Sequence, residues 1–177
     1  NRTIACHLYW HNDAWNLGGV IATTNLDGGS TSVDETVYGV EGSFNLAPSA
    51  VLTGSYTVGE SEFLVIDVDT WNADIGVNYY FTDNFRVSGN LGTGNLDFGG
   101  GTDFDTSTFG VGAEWQLSST PISFTADWST FDADTFGDYD TLKVGVRWNW
   151  GGTLRERDAA TPFDTQTGLY QRVYGVE

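Results

Sequence analysis

Apolar and polar residues alternate one by one through most of this chain. That is the period of a β-strand with two unlike faces, and a 3.6-residue helical period is hard to find. Between Thr141 and Trp150, Leu142, Val144, Val146, Trp148 and Trp150 share one face, while Lys143, Gly145, Arg147 and Asn149 share the other. Upstream, Ile122, Phe124, Ala126 and Trp128 oppose Ser123, Thr125 and Asp127. Phe109, Val111, Ala113 and Trp115 oppose Gly110, Gly112, Glu114 and Gln116, and Phe85, Val87 and Leu91 oppose Arg86, Ser88 and Asn90. Strands are predicted likewise over Trp71 to Phe81, Ala50 to Val58 and Tyr38 to Leu46. Trp15, Leu17 and Ile21 mark another over residues 14–24, and Ile4, Cys6, Leu8 and Trp10 suggest one before it.

The connections alternate in length. His11 to Asp13, Ala47 to Ser49, Thr82 to Asn84 and Ser118 to Pro121 are short, whereas residues 25–36, 59–70, 94–107 and 130–140 read as long loops. Short turns on one rim and long loops on the other is the arrangement of outer-membrane barrels, with the short turns in the periplasm. The predicted fold is therefore all-β, an antiparallel up-and-down transmembrane β-barrel with eight or nine strands visible. Bacterial single-chain barrels close with an even number of strands. Either residues 1–10 form no strand and the barrel has eight, or the chain belongs to a barrel of ten to twelve. The hairpin-like pattern from His7 through Gly19 favours the larger barrel.

Composition agrees with a membrane sheet and excludes other classes. Only 18% of the 177 residues are charged and 15% are aromatic, with a mean hydropathy of -0.24. No run approaches the ~20 apolar residues of a membrane helix. The formal net charge of -17 excludes nucleic acid as a partner, which wants a basic face. Cys6 is the single cysteine, so no internal disulfide forms. No charged-then-apolar leader precedes Asn1, so a signal peptide is expected to have been removed or left out.

The placement of charge is more informative than its sum. Arg86, Lys143 and Arg147 fall on the polar strand face together with Glu41, Asp74, Glu114 and Asp127. These seven are the predicted lumen-facing charges, read either as an ion-pair network filling a narrow lumen or as a constriction that selects solutes. The four long loops hold 14 of the 24 acids and no Lys or Arg. Among them Asp132, Asp134, Asp138 and Asp140 are the densest set and weak candidates for Ca²⁺, lacking the spacing and glycine of an EF-hand loop. Rings near strand ends, such as Trp10, Trp15, Trp71, Tyr79, Phe81, Trp128 and Trp148, fit an interfacial girdle. His7 and His11 lack a serine-bearing motif beside them, so no catalytic residues and no enzymatic activity are expected. No metal-ligand spacing or phosphate loop is present, and no cofactor is expected.

The hairpin Val77 to Gly89 and the strand Leu142 to Trp150 resemble the porin-like outer-membrane barrels of Gram-negative bacteria, in style the small barrels of alphaproteobacteria. The resemblance implies the cell outer membrane and passive passage of small polar solutes. Two alternatives stay open: a plugged structural or adhesive barrel with acidic surface loops, and a soluble secreted barrel that binds a ligand. The expected partners are outer-membrane lipid and lipopolysaccharide. A protein partner could be reached through the acidic loops or the tail, and a homo-oligomer is also open. Residues 1–150 form the barrel in this reading, and residues 151–177 an irregular periplasmic tail in which Leu169 to Tyr174 could form a short extra strand.

Overall fold

The computed structural model describes residues 2–27, 32–63, 66–134, 137–148 and 150–160. Nine strands pair in chain order in one antiparallel, up-and-down sheet. They are β1 (Arg2–His11), β2 (Trp15–Asp27), β3 (Ser32–Ala47), β4 (Ala50–Phe63), β5 (Ile66–Thr82), β6 (Phe85–Asp97), β7 (Asp103–Gln116), β8 (Ile122–Ala133) and β9 (Gly137–Trp148). Arg2–His11 do make a strand, pairing with β2 from Arg2 opposite Asn25 to His11 opposite Asn16.

The segments expected to be long loops are mostly strand. β4 runs to Phe63 and β5 starts at Ile66, and β6 and β7 reach Asp97 and Asp103. Asp and Glu are depleted in strands, which is why these acid-rich stretches read as loops. Here they stay in ladder register, with Asp34 opposite Glu62, Glu60 opposite Asp69 and Asp97 opposite Asp103. The two rims still differ. Strands meet through two or three residues at Asn12–Ala14, Pro48–Ser49 and Asp83–Asn84, while the acidic hairpins form the other rim.

The surface is inverted relative to a soluble sheet. Leu8 is 81% exposed and Val144 77%, and Leu17, Ile21, Val40, Ile75, Val77, Leu91, Val111 and Val146 are exposed on the same outward face. Rings flank this apolar band at two heights. Near the turns, Trp10 meets Trp15 at 4.4 Å, Phe81 stacks on Phe85 at 5.6 Å and Trp115 lies beside Phe124 at 6.3 Å. Toward the acidic rim, Tyr56 stacks on Trp71 at 6.2 Å and Phe109 meets Trp128 edge-on at 5.8 Å. Tyr79 and Trp71 lie eight residues apart on β5, about 26 Å of strand. A tilted strand of that length crosses a hydrocarbon core between two aromatic belts.

The inward face is polar in its turn-side half and mixed above it. Thr57, Ser43 and Asn72 are buried there, but so are Val20, Ala22, Val37, Leu96 and Phe131. Apolar side chains thus fill the interior toward the acidic rim.

Within the described residues β1 and β9 are the sheet edges, and neither pairs with the other. Both run from the acidic rim toward the turn rim, so antiparallel pairing between them is impossible. Antiparallel closure between edges of this direction would need an odd number of strands between them, giving the even total of bacterial single-chain barrels.

After β9 the chain turns inward. Gly151 and Gly152 adopt φ of 83° and 66°, a left-handed conformation that glycine takes without strain. Helix α1 (Leu154–Ala160) follows, where an irregular segment was expected. Its start is a capping box: the Glu156 amide donates to Thr153 Oγ1 at 3.2 Å, and the Thr153 amide donates to Glu156 Oε2 at 2.8 Å. Leu169 to Tyr174 lie outside the described residues.

Candidate functional site

The candidate site is the lumen. The inward face borders a cavity of about 1410 Å³ in its turn-side half, lined by residues of β1 to β9 and of α1. Six of the seven predicted lumen charges line it: Asp74, Arg86, Glu114, Asp127, Lys143 and Arg147.

At its turn end lies a compact ion-pair cluster centred on Glu114, whose side chain is 2% exposed. Arg86 and Arg147 each approach Glu114 Oε2 at 3.3 Å, and Arg157 Nη2 donates to Glu114 Oε1 at 2.8 Å. Arg86 Nη1 also donates to Asp158 Oδ2 at 2.8 Å, and the Tyr80 hydroxyl donates to the same oxygen at 2.9 Å. Arg157 reaches Ser123 Oγ at 3.3 Å and Asp158 Oδ1 at 3.2 Å. A carboxylate this deeply buried is tolerable because three guanidinium groups surround it.

The other predicted charges lie apart from this cluster. Asp74 lies across the Gly92 backbone of the neighbouring strand, and Asp127 lies across Gly112 in the same way. A Cβ at either glycine would collide with the carboxylate, so the glycines let both acids fold flat against the wall. Lys143 faces Asp127 across the β8–β9 ladder. Glu41 sits toward the other end of the sheet, accepting from His7 Nδ1 at 2.6 Å. Arg157, Asp158, Tyr80 and His7 are the participants that strand alternation alone did not single out.

Of the acidic quartet, Asp132 lies on β8, Asp138 and Asp140 on β9, and Asp134 just beyond the end of β8. Asp132 faces Asp138 across the ladder, Asp140 faces Thr130, and the Asp134 amide donates to the Asp105 carbonyl at 3.1 Å. Among the described residues no group of three or more His, Cys, Asp or Glu side chains is arranged to hold a metal ion. The carboxylates instead form a belt on the outward face above the upper rings, from Asp34 on β3 through Glu60, Asp69, Asp97 and Asp105 to Asp138 on β9.

Outward apolar band, paired aromatic belts, polar lumen and antiparallel wall together define the class: an outer-membrane β-barrel, whose place is the cell outer membrane. Solved structures of OmpT, an outer membrane protein of Vibrio cholerae, share this fold. OmpT expressed in the outer membrane superposes with a TM-score of 0.60 at 13% identity, covering 84% of this chain and 57% of that one. Its loop L8 deletion mutant gives 0.61 at 14% identity with 84% and 54% covered, and in-vitro folded OmpT gives 0.58 at 14% with 84% and 56%. The matched part is thus little more than half the length of these barrels. No protein-family profile and no curated protein sequence matches the chain.

Two expectations are corrected at this point. The exposed apolar belts overturn a soluble secreted barrel, because water would face that surface unfavourably. The exclusion of an enzyme also falls. It rested on the lack of a histidine–serine motif, but the barrels this chain resembles are OmpT proteins, and such a wall can house different chemistries in its lumen.

Proposed function

We propose that the chain forms the wall of a porin-like conduit through which small polar solutes pass passively. One observation carries this reading: a cavity of about 1410 Å³ runs along the inward face, with Asp74 and Asp127 folded against the wall over Gly92 and Gly112. Carboxylates packed flat leave the cross-section open to water and solute while supplying polar contacts along the way. A second reading, a plugged structural barrel, is favoured by the position of α1 across the turn end of that cavity. Conductance of the full-length protein in planar bilayers separates the two. Discrete steps that grow with salt concentration are expected, and a silent protein that is demonstrably folded and inserted would overturn the conduit.

A further inference from the structure

Helix α1 is attached to more of the wall than a loose tail requires. Arg157 ties it to β7 and β8, through Glu114 and Ser123. Asp158 ties it to β5 and β6, through Tyr80 and Arg86. The Arg155 amide donates to the Asp83 carbonyl in the β5–β6 turn at 3.0 Å, and Tyr9 on β1 donates to the Ala160 carbonyl at 2.7 Å. A seven-residue helix is about 10 Å long, and its two ends are fastened to strands far apart in the wall. Gln116 Nε2 holds the entry to it, donating to the Gly152 carbonyl at 3.0 Å.

The attachment is mostly ionic. Four of the seven helix residues are charged, and Leu154 is its one buried residue. Arg157 and Asp158 both point into the cluster that borders the cavity, next to Arg86, Arg147 and Glu114. The cluster therefore holds three positive groups and two negative ones, one of each sign contributed by the helix.

We infer that α1 is a strap across the turn-side mouth of the lumen, and that Arg157 and Asp158 on it set the aperture and the ion preference of the conduit. The inference rests on the conduit reading above. A permeating ion must pass beside this cluster, where the dielectric is low and a single charge changes the local potential strongly. Removing Arg157 leaves two positive and two negative groups and favours cations. Neutralising Asp158 leaves three against one and favours anions.

The experiment uses the full-length protein in planar bilayers under a salt gradient. One variant replaces residues 154–160 by a Gly/Ser run of equal length, and two others carry Arg157→Gln and Asp158→Asn. The replacement should raise single-channel conductance at least twofold. The point variants should move the reversal potential in opposite directions, Arg157→Gln toward cation and Asp158→Asn toward anion selectivity. Should the helix replacement fail to fold, as read by heat-dependent gel migration, the two point variants carry the test alone. Folded variants that conduct with the parent's conductance and reversal potential would overturn the strap while leaving the conduit intact. Silence from parent and variants alike would overturn the conduit and the strap with it. A silent parent beside a conducting replacement would overturn the conduit, and with it the strap as setter of an open aperture, in favour of the plugged barrel.

Discussion

At the residue scale, Glu114 sits at the centre of the lumen cluster, with guanidinium groups from Arg86, Arg147 and Arg157 around one buried carboxylate. Glu114→Gln keeps the shape but removes the carboxylate that the three guanidinium groups share, and breaking a buried pair from one side costs about 3 kcal/mol. The heat-modifiable transition of the variant should fall accordingly, and a transition matching the parent's would show that the cluster contributes no stability. Arg86, Glu114 and Arg147 were legible from the sequence because each stands at an inward position in an alternating strand. Arg157 and Asp158 were not, since seven residues behind two glycines are too few to display a helical period. One local signal did exist. Thr153 and Glu156 have capping-box spacing, and with it the segment after Trp150 reads as the start of a helix.

At the element scale, each strand is defined by which face meets lipid. Val144 and Gly145 are neighbours on β9, the first on the exposed apolar face and the second on the inward face. An arginine at position 144 should destabilise the folded protein by about 2–4 kcal/mol if the residue sits near the bilayer midplane. Equilibrium unfolding in lipid vesicles checks this, and a loss below about 1 kcal/mol would place Val144 outside the hydrocarbon. The acidic hairpins make the opposite prediction. Glu60 faces Asp69 across the β4–β5 ladder, and like charges directly opposite are unfavourable. Glu60→Gln should stabilise the protein by about 0.5 kcal/mol at low salt, with the gain shrinking as salt rises. Strand existence and facing were readable from alternation alone. Strand ends were not, because carboxylates suppress the local β signal while the ladder, once started at the membrane, carries pairing past them.

At the scale of the whole molecule, edge direction constrains closure. β1 and β9 run the same way and do not pair with each other among the described residues, whereas paired strands lie about 5 Å apart. Cysteine pairs placed at equal heights on the two edges should therefore not cross-link in the folded protein, and efficient disulfide formation would contradict the up-and-down wall. The sequence could announce a barrel, since two-faced strands and sorted connections are local properties. How the wall is completed is a long-range property that alternation does not encode. The most direct test of the account measures which faces meet lipid on a central strand. Spin labels placed singly at Ile75, Gly76, Val77 and Asn78, in a Cys6→Ser background and in liposomes, report collisions with oxygen and with a water-soluble nickel chelate. Oxygen access should peak at positions 75 and 77 and nickel access at 76 and 78; labels equally accessible to the nickel chelate at all four positions would contradict a membrane-spanning wall.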